Sequence, residues 1–150
     1  MKSGRFIGID YGLARIGVSF SDEKGIIAFP LVTIKAEKKP RATLPKILKS
    51  LLDHQKAFDY TILGIVVGLP LLMSGKKGLM ADEVEHFISE LKILLPETEI
   101  IPWDERLSSV QADRSMREAN FSRKKRCKFV DTVSAVIILQ SYLDFKNLEK

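Results

Sequence analysis

Ten residues, 61 to 70, constrain this chain more than any others. The run "TILGIVVGLP" carries no charge and does not alternate between apolar and polar positions. A half-exposed strand would alternate, and a membrane-spanning helix needs roughly 20 apolar residues. The run therefore reads as a strand buried on both faces. Such strands belong to sheets with helices packed on either side.

The neighbouring segments extend that reading. "RFIGID" reads as a buried strand and "RIGVSFSD" as a second, alternating one, with "YGLA" between them holding the glycine of a tight turn. "GIIAFPLVTI" is a third strand, where Pro30 predicts an edge position or a bulge. Residues 41–57 place Leu44, Ile47, Leu48, Leu51 and Leu52 on one helical face. "MADEVEHFISELKILLP" predicts a helix stopped before Pro96, and "TEIIPW" a short strand. "SSVQADRSMREA" predicts a helix with Ser108 and Gln111 spaced as a capping box. "DTVSAVIILQSYLDFKNL" predicts a last helix opened by Asp131. It is apolar nearly all round from Val133 to Leu139, so it should lie deep against the sheet. Three strands with short links form an antiparallel meander. The alternating helices then impose parallel strands and right-handed crossovers. The expectation is an α/β fold with a five-stranded mixed sheet, helices on both faces, and one domain over residues 1–150.

Composition narrows the class. A single cysteine, Cys127, allows no internal disulfide, and two isolated histidines, His54 and His86, make no zinc pattern. "MKSGRFIGID" shows no apolar leader core, and no stretch is long enough to cross a bilayer, so a cytoplasmic protein is expected. Lys plus Arg number 24 against 19 Asp plus Glu, a formal charge of +5. "SRKKRCK" holds five cations, Arg123, Lys124, Lys125, Arg126 and Lys128. A solvated loop is one reading of that run. Relief of its self-repulsion by a polyphosphate partner is the other.

The acids carry the chemistry. Asp10 ends the first strand, Asp104 and Glu105 follow the fifth, and Asp131 opens the last helix. Each has a plain structural role available: Asp10 in shaping a turn, Asp104 and Asp131 as helix caps. Together they say more. In parallel α/β sheets the carboxyl ends of the strands form the ligand crevice. Strands one and five, if parallel, bring Asp10 and Glu105 to that same end. Clustered carboxylates repel unless cations separate them, and Asp and Glu without His or Cys select hard ions such as Mg²⁺ or Mn²⁺. Two such ions can hold the attacking and leaving oxygens of a phosphodiester. Asp10, Glu105, Asp131 and Asp104 are the candidate metal ligands. The motifs offer no Ser–His or Cys–His pairing, so a metal-activated water is the expected nucleophile. Arg106, beside the acids, could contact phosphate or pair with Asp104. Gly68, Gly75 and Gly78 could let backbone amides approach a phosphate, or simply serve a loop that needs glycine. Trp103 ends an apolar strand and reads as core.

Four stretches, "GIDYGLARIGVSFSD", "VVGLPLLMSGKKG", "DERLSSVQAD" and "VDTVSAVIILQSYLD", resemble in order and spacing the motifs of the YqgF family. These are pre-16S rRNA nucleases or Holliday-junction-resolvase-like proteins, and the likeness runs from about residue 5 to about residue 144. The resemblance implies an RNase H-like fold, a cytoplasmic location, maturation of the 5′ end of small-subunit ribosomal RNA, and acids at Asp10, Glu105 and Asp131. The family's Gly-Leu-Pro loop often carries an acid near the position of Ser74. This chain reads Ser74-Gly75-Lys76-Lys77 there, which shifts the expectation for the loop from metal to phosphate contact. Ser134-Ala135 stands where the family tends to have two alanines.

The expected function is a metal-dependent endonuclease acting on structured RNA. Arg106, Lys76, Lys77 and the basic run are its candidate nucleic-acid contacts. A resolvase acting on branched DNA is the alternative, and it would need two active sites and hence a dimer. A monomer or weak homodimer is expected, since no clear dimer interface is visible in the sequence. Two other classes remain: a non-catalytic nucleic-acid-binding module, and an ATP-binding protein of the actin and sugar-kinase type. The latter needs two lobes, and 150 residues supply one.

Overall fold

The structure, a computed structural model, describes residues 3–38, 40–72, 74–107 and 123–149; from 123 to 132 it describes the helical backbone without the side chains. In chain order the elements are β1 (Ser3–Tyr11), β2 (Arg15–Ser21), β3 (Ala28–Lys35), α1 (Pro40–Phe58), β4 (Tyr60–Leu69), α2 (Leu79–Leu94), β5 (Ile100–Asp104), a 3-10 turn (Glu105–Leu107) and α3 (Arg123–Leu148).

The five strands form one sheet in the order β3-β2-β1-β4-β5. β1, β2 and β3 pair antiparallel, whereas β4 runs parallel to both β1 and β5. The mixed sheet expected from the sequence is present, and the charge-free run forms the parallel strand β4, buried on both faces from Gly64 to Gly68 but with Thr61 and Leu63 exposed at its start. β3 is an edge strand, and the β2–β3 register shifts between Val18 and Ser19, where Ser19 pairs with Pro30. Pro30 therefore sits both at an edge and at an irregularity, the two settings a missing N–H tolerates.

Side-chain alternation divides the core into two layers. On one face Ile7, Ile9, Ile65 and Val67 pack with Leu44, Ile47 and Leu51 of α1 and with Val84, Phe87 and Leu91 of α2. On the other face Phe6, Val66 and Trp103 meet Ile138, Leu139 and Leu143 of α3. Those three α3 side chains are wholly buried. Burying a side chain of this size is worth about 1.5–3 kcal/mol, which suffices to hold the helix against the sheet.

The direction of α3 follows from two contacts. Ser19, the register partner of Gly8, donates its buried hydroxyl to the Ala135 carbonyl at 2.8 Å. Further along the helix, Tyr142 packs edge-on to Phe6 at 5.5 Å. α3 therefore runs antiparallel to β1, and its residues before Ala135 lie toward the end of β1 that carries Asp10.

One boundary differs from the expectation. Asp131 does not open the last helix, because α3 begins at Arg123, eight residues earlier. The basic run is helical rather than a loop. Arg and Lys are good helix formers, and neither Gly nor Pro interrupts residues 123–131. The helix expected around the Ser108–Gln111 capping box falls outside the described residues.

Candidate active site

The site is assembled by strand register. Ile9 of β1 pairs with Val67 of β4, Gly68 of β4 pairs with Trp103 of β5, and Leu69 pairs with Asp104. Asp10 is thus level with Gly68 at the carboxyl end of the sheet, and Glu105 follows directly from β5 into the 3-10 turn. Asp10 has the parity of Phe6 on β1, and Gly68 that of Val66 on β4, so both belong to the α3 face.

Both acids are buried, Asp10 to 3% exposure and Glu105 to 1%. Gly68 explains how the second fits. A Cβ on Gly68 would lie 2.8 Å from Glu105 Oε1 and 2.4 Å from Ile138 Cδ1. The bare glycine leaves a slot over β4, and the Glu105 carboxylate occupies it beside the strand that carries Asp10. A phosphate-approach role for Gly68 was one sequence reading. The space at Gly68 is instead filled by a carboxylate and an isoleucine. The signal for this was in the sequence, since a glycine inside an otherwise apolar strand marks a close approach.

Asp131 lies in α3, one helical turn before Ala135, and its side chain is outside the described set. The side chains of Arg123, Lys124, Lys125, Arg126 and Lys128 are outside it too. Among the described residues, no group of three or more His, Cys, Asp or Glu side chains converges as a metal site. Asp10, Glu105 and Asp104 all follow from the carboxyl ends of β1 and β5.

Asp104 is engaged differently from the other two. Its Oδ1 accepts the backbone N–H of Arg106 at 2.9 Å, and its carboxylate is grasped by Arg106 Nε at 3.1 Å and Nη2 at 2.8 Å. The Arg106 guanidinium holds the Asp104 carboxyl below the usual carboxylate range, and Asp104 raises Arg106 in return. Of the two readings left open for Arg106, pairing with Asp104 is therefore present. Lys77 pairs with Glu85 of α2 at 2.6 Å, whereas Lys76 is exposed, its backbone N–H directed at Ser74 Oγ at 3.3 Å. Trp103 is core, as expected: it is buried, donates its indole N–H to Ser141 Oγ at 3.1 Å, and packs edge-on to Tyr142 and Phe145.

Comparison with known proteins agrees with this architecture. The family model described as "RuvX: Holliday junction resolvase" matches residues 4–145. A protein of Protochlamydia amoebophila named "Putative pre-16S rRNA nuclease" is 52% identical over 143 residues, covering 95% of each chain. A protein of the same name from Endomicrobium trichonymphae is 43% identical over 146 residues, covering 97% of this chain and 99% of its own. Among solved structures, Thermus thermophilus RuvC in complex with a Holliday junction substrate superposes with a TM-score of 0.60. It covers 96% of each chain at 13% identity, a likeness of fold alone. The fold is thus the RNase H-like architecture of RuvC, and the chain belongs to the RuvX family, the one its motifs resemble under the name YqgF.

Proposed function

We propose that this chain is a divalent-metal-dependent endonuclease that processes the 5′ end of pre-16S ribosomal RNA, with Asp10, Glu105 and Asp131 as its metal-binding acids. The observation that carries the reading is the Gly68 slot. A fold rarely buries a carboxylate beside a second buried acid unless a cation is to compensate them. The donors are carboxylate oxygens without His or Cys, a set that fits a hard ion, Mg²⁺ or Mn²⁺. Asp131 completes the set because α3 runs antiparallel to β1 and carries this position toward the Asp10 end.

When bound, the metal would supply an activated water and a counter-charge for the phosphate under attack. The chain's own contribution is placement. β1 and β4 are central strands, so Asp10 is mounted on a rigid element, and the slot fixes where the Glu105 carboxylate lies. Lys76, Arg106 and the basic residues at the start of α3 would draw in and hold the nucleic-acid backbone. Residues 1–150 act as one domain. A nuclease of ribosome assembly works in the cytoplasm, and no helix among the described residues is long and apolar enough to cross a membrane.

A DNA substrate is the second reading. The matching family model is described as a Holliday junction resolvase, and the RuvC neighbour was solved on such a junction. Junction resolution would need a dimer, whereas RNA processing is compatible with a monomer or weak homodimer. The test is cleavage of structured RNA, single-stranded RNA and four-way DNA junctions by the purified protein with Mg²⁺ or Mn²⁺. Metal-dependent cleavage of the RNAs and not of the junction is the expected result. Preference for the junction would transfer the function to DNA. Binding without cleavage of any substrate would leave a non-catalytic module.

A further inference from the structure

The Asp104–Arg106 pair does more than close a surface ion pair. Arg106 carries five N–H donors, and Asp104 takes the Nε and Nη2 side of the fork. Among the described residues, Nη1 donates to no acceptor. It lies 3.2 Å from the position a Cβ on Gly75 would take.

Gly75 belongs to a tight turn. Its N–H bonds the Leu72 carbonyl at 2.8 Å, the Leu72 N–H bonds the Lys76 carbonyl at 3.0 Å, and Leu71 bridges to Lys77. Its φ of +87° is one that side-chain-bearing residues rarely adopt. The turn thus closes on Arg106 with bare backbone. The exposed Arg106 side chain is gripped on one edge by Asp104, and its Nη1 lies against the Gly75 turn. It stands one residue from Glu105.

We propose that Asp104 is a positioning residue: it locks Arg106 against the Gly75 turn, so that the Nη1 edge meets a backbone phosphate of the nucleic acid beside Glu105. The proposal rests on the nuclease reading and removes Asp104 from the candidate metal ligands. An oriented Arg fork suits a phosphate better than a mobile one, because less rotamer freedom is lost on binding.

The substitution Asp104→Asn isolates the effect. Asparagine keeps an oxygen to accept the Arg106 backbone N–H, so the 3-10 turn is retained, but it loses the charged grip on the guanidinium. Long-range electrostatics predict the opposite of the proposal, since removing a negative charge should tighten binding to a polyanion. The experiment measures affinity of a fluorescein-labelled RNA hairpin and a labelled four-way DNA junction across a salt series in chelator. It also measures Mn²⁺ affinity by electron paramagnetic resonance without nucleic acid. Variants are Asp104→Asn, Arg106→Gln, their double and Glu105→Gln, each checked for folding by thermal melt.

Asp104→Asn should weaken binding several-fold and lower the salt slope by about one unit, as should Arg106→Gln. The double variant should lose no more than either single, because both remove the same contact. Mn²⁺ affinity should fall in Glu105→Gln and not in Asp104→Asn. Unchanged or tighter nucleic-acid binding in Asp104→Asn, with wild-type binding intact, overturns this proposal alone, as does a loss of Mn²⁺ affinity matching that of Glu105→Gln. Failure of the wild-type protein to bind either nucleic acid overturns both this proposal and the nuclease reading.

Discussion

The Glu105 carboxylate fills the space that a side chain on Gly68 would occupy, its Oε1 lying 2.8 Å from the position of the absent Cβ. A buried acid and a strand glycine, far apart in the chain, are thus one steric unit. Gly68→Ala should expel Glu105 from its slot and press on Ile138. The expected result is a loss of about 1–3 kcal/mol of stability, the usual cost of overfilling a packed core, together with weakened Mn²⁺ binding. Chemical denaturation and metal titration check both. A variant that is destabilised but binds Mn²⁺ normally would mean that Glu105 is no ligand.

The acids themselves can be tested by charge removal at constant shape. Asp10→Asn and Asp131→Asn should each lower metal affinity and cut cleavage by orders of magnitude. Nucleic-acid binding should survive or improve as repulsion falls, and stability should hold or rise, since like charges crowd a metal-free site. Cleavage rate against Mg²⁺ and Mn²⁺ concentration is the measurement. Full activity of either variant at low metal removes that residue from the site, and activity in excess chelator removes the metal mechanism.

The basic start of α3 should act without regard to sequence. Neutralising Lys124, Lys125 and Arg126 together should weaken binding to all nucleic acids alike and flatten its salt dependence by roughly one unit per lost contact. Titrations at several salt concentrations decide the matter, and an unchanged slope would assign these residues to a solvated helical surface.

A pH effect should arise at the opposite end of the sheet. His54 Nδ1 lies 2.7 Å from the Tyr60 hydroxyl, and its ring packs against Phe20 and Phe58. Burial, with Arg5 as a second cause, pushes its pKa below the ordinary histidine value. The unfolded chain then binds a proton at about pH 6.5 that the folded one refuses until lower pH. His54 leaves stability untouched above that point. Stability declines as pH falls from there through the folded pKa. Urea midpoints between pH 8 and 5 should fall more steeply for the wild type than for His54→Gln, and parallel curves would acquit His54.

The layers and the ends of most elements were legible in the residues alone, because those depend on local pattern. The charge-free run 61–70 marked the strand whose second half, Gly64 to Gly68, is covered on both faces, Pro30 can only sit where an N–H is dispensable, and Pro96 bounds α2. The sequence also displayed the acids as candidates. Tertiary structure decided what each does. Nothing local to Asp104 and Glu105 says that one turns outward to grip Arg106 while the other is buried over β4. That division is set by the register of β4 against β5 and by the missing Cβ of Gly68. The start of α3 was illegible for a related reason: charge repulsion argued for a loop while intrinsic propensity argued for a helix, and the two local signals cancel. Register is a relation between strands distant in the chain, so packing alone could settle which carboxylate enters the slot.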